Sequence, residues 1–260
     1  MPNKIIIANW KANPASLREA QELFKAEVAA AEQNKIKTII CPPFVFLEEL
    51  VKLLPANFSG QTGLGVQNIW ESVGPFTGEI SPEMVYGLGA RSVLVGHSDR
   101  RYVLGEGDEM INKKVVAALR VGMTPVLLVG EKDWQEGDDE KILAEQLTQD
   151  LANLAPEDIA KVWIAYEPVW AISTNPQSQP ATSDDAVKAI GMIRDIILKK
   201  WQIDSANIKV LYGGSVNESN VAQFLGHPEI DGAVVGATSL RTEEFSRLLK
   251  SVAQILCFVL

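Results

Sequence analysis

Three side chains of this chain suit acid–base chemistry on an anionic substrate, namely Lys11, His97 and Glu167. Each follows a short apolar run that ends in turn residues, so each belongs at the tip of a candidate strand. A carboxylate serves as a general base, an imidazole donates a hydrogen bond, and an ammonium supplies a fixed positive charge. Such a set fits proton abstraction next to a carbonyl on a phosphate-bearing substrate. Taken alone, Glu167 equally fits a carboxylate that only caps a strand.

Two stretches rich in small residues indicate where a phosphate is held. YGGSV occupies 212–216 and VVGATSL occupies 234–240. Both lead into helix starts, where exposed backbone N–H groups attract anions, and Ser215 and Gly236 stand there. Tight turns also require glycine, so each loop alone has a second explanation. Two neighbouring loops of this kind favour a shared phosphate site.

The histidines and cysteines do not indicate a metal. There are two of each, and neither pair has the spacing of metal ligands, so we expect no metal and no cofactor. His227 precedes a proline and is expected on a surface loop. Cys41 and Cys257 lie in apolar surroundings, and without a secretory leader we expect buried free thiols in a reducing cytoplasm.

Composition limits the classes of partner. A hydrophobic content of 47% permits a large core, and the formal net charge of -9 argues against nucleic acid, whose phosphates an acidic surface repels. No run approaches the roughly 18 apolar residues that cross a bilayer, so no membrane association is expected. The apolar tail 252–260 is compatible with membrane contact but better fits a last helix that turns its apolar face inward.

Candidate strands and helices alternate along the whole chain, with no linker between them. The strand candidates are 4–8, 38–41, 64–68, 92–96, 125–129, 162–167, 208–212 and 232–235. Asn13 and Pro14 are expected to cap and open the first helix, and later helices to begin near Pro82, Asp108 and Ser183. A single helix from 139 to 154 is expected between the fifth and sixth strands.

The strands are continuous apolar runs, which is typical of a parallel sheet covered by helices. We predict an α/β protein with one domain, 1–260, folded as a closed (β/α)8 barrel. An open doubly wound sheet is the alternative, but the glycine-rich fingerprint after the first strand is absent. Barrel chemistry occurs at the carboxyl ends of strands, so one rim is expected to carry Asn9, Lys11, Gln67, Asn68, His97, Glu131, Glu167, Ser215 and Gly236.

Longer motifs resemble the triosephosphate isomerase family across nearly the whole chain. They are ANWKAN at 8–13, VGHSDRR at 95–101, AYEPVWAI at 165–172, and the two small-residue loops. The resemblance implies a TIM barrel that interconverts dihydroxyacetone phosphate and glyceraldehyde 3-phosphate through an enediolate, in glycolysis and gluconeogenesis. It implies Glu167 as the base, His97 as the electrophile and Lys11 as the holder of the anion.

The resemblance also implies supporting roles. Asn9 fixes Lys11 and a substrate oxygen, and Ser98 begins the short helix that orients His97. Ile172 meets Val234 as an apolar clamp when a lid over 169–181 closes. Donors to the phosphate are implied at Ser173, Ser215, Gly236 and Ala237.

Several residues depart from the family pattern. Asp99 is one methylene shorter than the usual glutamate, which leaves its link to Lys11 in question. Ser173 and Asn175 replace lid glycines, and the lid is about three residues longer. Ala237 replaces a glycine, which is harmless only if its φ is not positive. Leu128 replaces a usual cysteine.

The loop 68–81 carries Trp70, Phe76 and Thr77 with little local sequence to cover them, so a homodimer through this loop is expected. By resemblance the loop inserts beside the neighbour's Lys11, and Glu79 pairs with Arg100 across the interface.

Two other functions fit parts of the sequence. A metal-dependent phosphosugar epimerase lacks its ligands here, and a decayed barrel that only binds phosphate ligands is suggested by the departures at Asp99, at Ala237 and in the lid.

Overall fold

The computed structural model describes residues 4–54, 62–133, 139–172 and 180–257. Eight parallel strands pair in chain order and close into a barrel, with the first strand beside the last. The predicted (β/α)8 barrel, the TIM barrel, is therefore confirmed. The strands are β1 (Ile5–Asn9), β2 (Lys37–Cys41), β3 (Thr62–Val66), β4 (Ser92–Val95), β5 (Thr124–Val129), β6 (Trp163–Tyr166), β7 (Val210–Tyr212) and β8 (Gly232–Val235).

Helices cover the outside of the barrel, and the predicted starts at Pro82, Asp108 and Ser183 are confirmed. The third of these has a capping box, in which Thr182 and Asp185 exchange side-chain bonds to backbone N–H groups. The described helices are α1 (Leu17–Asn34), α2 (Phe44–Val51), α3 (Pro82–Gly87), α4 (Asp108–Arg120), α5 (Asp139–Asp150), α6 (Pro156–Ile159), α7 (Ser183–Trp201), α8 (Val221–Leu225) and α9 (Thr242–Cys257).

The predicted start of the first helix at Asn13 and Pro14 is wrong. Helix α1 begins at Leu17, and Ser16 is its N-cap, with extended backbone and a hydroxyl that accepts an N–H of the first turn. The Asn13 side chain instead donates to the carbonyl of Trp10. It is therefore used in the loop that follows β1 and does not cap the helix.

The single helix predicted over 139–154 is also wrong. Helix α5 ends at Asp150, and Asn153 adopts a left-handed φ of 61°. Ala155 then has extended backbone, and Pro156 opens the separate turn α6. Asparagine tolerates the left-handed region and proline suits a first helical position, so both residues favour a break here.

Two apolar layers surround the strands. Inside the barrel lies a cluster that includes Ile5, Ile7 and Leu128, whereas Ile6 and Ala8 face the outer layer beneath the helices. This alternation follows from the two-residue period of a strand. The inner cluster also contains the free thiol of Cys41, which is buried as predicted, and the side chain of Cys257 lies outside the described residues.

The last helix turns its apolar face inward, as the tail was predicted to do. Val252 in α9 is fully buried, and Ile255 and Leu256 pack against the outer layer. Residues 258–260 lie outside the described part of the chain. Among the described helices, none is long and apolar enough to cross a membrane.

Candidate active site

The carboxyl ends of the strands surround a cavity of about 360 Å³. Most predicted site residues line this cavity, although they come from strands and loops far apart in the chain. Those that line it are Asn9, Lys11, His97, Glu167, Ile172, Ser215, Val234, Gly236 and Ala237. Ser98 and Asp99 contact members of this group directly. Ser173 and the rest of 173–179 lie outside the described residues.

Glu167 directly follows β6 and is almost fully buried, with 3% of its surface exposed. The backbone N–H of Ser98 donates to Oε2 at 2.8 Å, and the Ser98 hydroxyl donates to Oε1 at 3.1 Å. Burial raises the pKa of Glu167 above its ordinary value, and these donors together with His97 and Lys11 oppose that rise. The result is a desolvated carboxylate held by a few defined contacts.

His97 follows β4 and presents one ring nitrogen to the carboxylate of Glu167. The backbone N–H of Asp99 donates to Nδ1 at 3.0 Å. An Nδ1 that accepts a hydrogen bond carries no proton, so in this tautomer the ring proton is on Nε2. Nε2 lies 3.2 Å from Glu167 Oε1. The imidazole thus presents an N–H group at the cavity, beside the buried carboxylate.

Lys11 has a left-handed backbone, with φ of 53°, which is uncommon for a residue other than glycine. Two contacts hold it in this conformation, since its N–H donates to Asn9 Oδ1 at 3.1 Å and its carbonyl accepts from Gln67 at 2.8 Å. Its ammonium lies 3.1 Å from Asp99 Oδ2. The shorter carboxylate of Asp99 therefore reaches Lys11, which answers the question that the sequence raised.

The two small-residue loops lie together at the cavity. Ala237 begins a 3-10 turn, Ala237–Leu240, and its φ is not positive. Alanine therefore fits this position without backbone strain. In the other loop, a Cβ on Gly214 would lie 2.1 Å from the phenol oxygen of Tyr212. Close packing against Tyr212 thus explains Gly214 without any ligand. This agrees with the alternative that glycine is needed here for the local chain path.

Three of the polar residues at the predicted rim follow the carboxyl ends of β3 and β5 but do not line the cavity. Gln67 bridges two backbone carbonyls, and Asn68 accepts from Lys114 beneath the helices. Glu131 accepts from the Tyr166 hydroxyl at 2.6 Å in the outer layer. Position at the rim alone therefore does not bring a side chain into the cavity.

Two functions of the VGHSDRR segment were missed by sequence reasoning. Ser98 holds the carboxylate of Glu167 as well as preceding the π-helical turn Asp99–Val103. Arg101 turns back beneath His97, and its Nε donates to the carbonyl of Gly96 at 2.8 Å. The pairing of a serine with a carboxylate 69 positions away has no signal in a single sequence.

The described residues contain no group of three or more histidines, cysteines, aspartates or glutamates arranged to hold a metal. The fold and the cavity define a (β/α)8-barrel protein with an imidazole, a carboxylate and an ammonium at the carboxyl ends of its strands.

A family model described as Triosephosphate isomerase matches residues 4–252. The triosephosphate isomerase of Dictyoglomus thermophilum is 41% identical over 257 residues, covering 96% of this chain and 100% of the relative. That of Aquifex aeolicus is 41% identical over 252 residues, covering 95% and 99%. That of Caldanaerobacter subterraneus is 38% identical over 253 residues, covering 96% and 99%. The chain belongs to the triosephosphate isomerase family and is an isomerase.

Proposed function

We propose that the chain interconverts dihydroxyacetone phosphate and D-glyceraldehyde 3-phosphate through an enediolate. The observation that carries this proposal is the meeting of Glu167 and His97 in one cavity, with 3.2 Å between Oε1 and Nε2. Lys11 borders the same cavity. A base, a hydrogen-bond donor and a positive charge around one small cavity are what proton transfer beside a carbonyl requires.

In the proposed reaction, Glu167 removes a proton from the carbon next to the substrate carbonyl. Its buried position supports this role, because the raised pKa makes the carboxylate a stronger base. The Nε2–H of His97 donates to the carbonyl oxygen while negative charge develops there. Glu167 then returns a proton to the neighbouring carbon, and a proton moves from the substrate hydroxyl oxygen to the former carbonyl oxygen by way of His97 Nε2, so the substrate gains and loses no atoms.

Binding of the substrate anion is assigned to Lys11 and Asn9. The contact between the Lys11 N–H and Asn9 Oδ1 supports a joint role, in which Asn9 fixes Lys11 and contacts a substrate oxygen. The acidic net charge of -9 makes a local positive charge necessary for an anionic substrate. Donors to the phosphate are proposed at Ser173, Ser215, Gly236 and Ala237.

Supporting roles are proposed for four further residues. Ser98 holds Glu167 in its resting position, and Asp99 holds the Lys11 ammonium. Ile172 and Val234 both line the cavity, and they close over the base as an apolar clamp when the lid 169–181 shuts. Most of the lid, 173–179, lies outside the described residues.

We further propose that the chain is one domain that works as a homodimer in the cytoplasm, in glycolysis and gluconeogenesis. Apolar surface on the loop 68–81 supports the dimer, since Val73 is 62% exposed and Phe76 is 36% exposed. The rings of Trp70 and Phe76 pack together, with their centroids 5.3 Å apart, and this gives the loop a compact apolar tip. Apolar surface of this kind favours a protein partner.

A coupled isomerase assay on the purified protein tests the proposed reaction. We expect turnover in both directions, unchanged by a chelator. Loss of activity with the chelator would indicate a metal-dependent sugar phosphate enzyme. Complete absence of turnover, together with binding of phosphoglycolate, would indicate a decayed barrel that only binds phosphate ligands.

The two histidines provide a matched pair of variants. His97→Gln removes the donor at the cavity, and we expect kcat to fall by ~10² or more, the range for loss of one such donor. His227 lies half-buried beyond α8, and His227→Gln should leave kcat unchanged. Equal activity of the two variants would contradict the role of His97.

A further inference from the structure

The side chain of Arg101 donates hydrogen bonds to four different residues. Its side chain is 6% exposed. Nε donates to the carbonyl of Gly96 at 2.8 Å, and a terminal nitrogen donates to the carbonyl of Leu128 at 3.1 Å. The two terminal nitrogens also bind carboxylates, Asp108 at 2.6 Å and Asp150 at 2.5 Å. The guanidinium therefore ties the ends of β4 and β5 to α4 and α5.

The bond to Gly96 bears directly on His97. The carbonyl of Gly96 and the N–H of His97 belong to one rigid peptide plane, so holding one end orients the other. Gly96 has φ of 76°, and a Cβ there would lie 2.8 Å from an Arg101 nitrogen. The backbone N–H of Arg101 also donates to the carbonyl of His97 at 3.0 Å. Arg101 thus fixes the chain on both sides of the imidazole.

Asp150 reaches Arg101 from the helices that surround the barrel. It is the last residue of α5 and is fully buried. Its Oδ1 has no hydrogen-bond partner within the described ranges. Burial raises its pKa to about 7, with Arg101 opposing and Asp108 adding to the rise. A buried carboxylate is costly unless it is paired, and Arg101 is the cation that pairs with Asp150, so the charge of Asp150 helps to set where the guanidinium lies.

We propose that Asp150 is a positioning residue for the isomerase reaction: by holding Arg101, it fixes the Gly96 carbonyl and thereby the place of His97 relative to Glu167. The charged groups that share this pocket with Asp150 are Arg101 and Asp108. The inference rests on the proposed function for its kinetic consequence only. The structural consequence at His97 holds whatever reaction the site performs.

The test is Asp150→Asn, which keeps the shape and removes the charge. At pH 8.5, where Asp150 is ionised, we expect kcat to fall about tenfold with KM changed less than twofold. A displacement of 1 Å in an active site lowers the rate by about 10²-fold. Because Arg101 keeps its other hydrogen bonds when the charge of Asp150 is removed, we expect His97 to move by less than this.

A spectroscopic readout separates positioning from a general loss of stability. The chain has two histidines, so 15N-labelled histidine gives two sets of ring resonances, and His227→Gln assigns them. Asp150→Asn should shift the His97 ring resonances and leave those of His227 in place. If the unsubstituted protein has no isomerase activity, the proposed function fails, and this readout still decides the positioning claim.

Asp231→Asn is the matched control. Asp231 forms a buried pair with Arg194 at 2.8 Å at the amino-terminal end of β8, the end away from the cavity. This variant should lower the thermal midpoint without moving His97 or kcat. A folded Asp150→Asn with normal kcat and unmoved His97 resonances would overturn the proposal. If the variant does not fold, Asp150→Ser carries the same readouts, and failure of both to fold would assign Asp150 to folding alone.

Discussion

Replacing Ser98 by alanine is expected to change the pH at which the enzyme becomes active. The Ser98 hydroxyl donates to Glu167 Oε1 at 3.1 Å, while the Ser98 backbone N–H donates to Oε2 at 2.8 Å. Ser98→Ala removes the first contact and keeps the second. Both donors favour the charged carboxylate, so loss of the hydroxyl should raise the pKa of Glu167 further above its ordinary value.

The distances set the size of the effect. A hydrogen bond to a charged group contributes about 1.5–3 kcal/mol. The hydroxyl contact, at 3.1 Å, is longer than the usual distance for O–H···O bonds, so the lower end of that range applies. One pKa unit corresponds to about 1.4 kcal/mol. The pKa of Glu167 should therefore rise by about one unit in the variant.

The assay is the pH dependence of kcat/KM, which reports groups of the free enzyme. The acidic limb should move up by about one pH unit in Ser98→Ala. The value of kcat/KM on the plateau at high pH should change little. Ser92→Ala is the control, because Ser92 is a buried serine at the other end of β4. An acidic limb that stays in place in Ser98→Ala would refute the role of the hydroxyl in setting this pKa.

Three further outcomes are expected. Glu167→Gln removes the base at nearly constant shape, so kcat should fall by ~10² or more with little change in substrate affinity; near-normal kcat would contradict the assignment. Burial raises the pKa of Glu131, Glu167 and Asp150, the last to about 7. The folded protein therefore binds these protons more tightly than the unfolded chain, so the free energy of unfolding falls as pH rises through the raised values. Urea unfolding should show a loss of roughly 2 kcal/mol from Asp150 alone between about pH 5.5 and 8, and a flat profile would count against it. Sedimentation at micromolar concentration should give about twice the chain mass of 28.4 kDa, and a fully active monomer would rule out the need for the 68–81 interface.

The sequence predicted the barrel because its signals are local and repeat eight times. Apolar runs, turn residues and helix starts such as Ser81 with Pro82 each depend on a few neighbouring residues. The first helix shows where this reasoning fails, since both Asn13 and Ser16 are suitable caps. The structure uses Ser16, because Asn13 is engaged with the loop after β1. Competition between equivalent local signals is settled by tertiary contacts.

The site was predictable in its residues and less so in its contacts. Position at a strand end identified Glu167 and His97 as candidate site residues. It identified Glu131 in the same way, although Glu131 faces the outer layer. Whether Asp99 reaches Lys11 depends on a distance of 3.1 Å that no single sequence contains. Asp150 gave no signal, because its partner Arg101 lies 49 positions away and an acidic residue at a helix end is ordinarily exposed.

The seam between β1 and β8 joins the two ends of the chain, with Ile5 opposite Gly232. The buried ammonium of Lys4 crosses the same seam to the carbonyl of His227, 223 positions away. During synthesis, therefore, the first strand is made long before its last partner leaves the ribosome. Until then, the edges of β1 and β7 are open to pairing with other chains. Aggregation during biosynthesis is thus a greater hazard for this chain than for the finished barrel, which has no free edge.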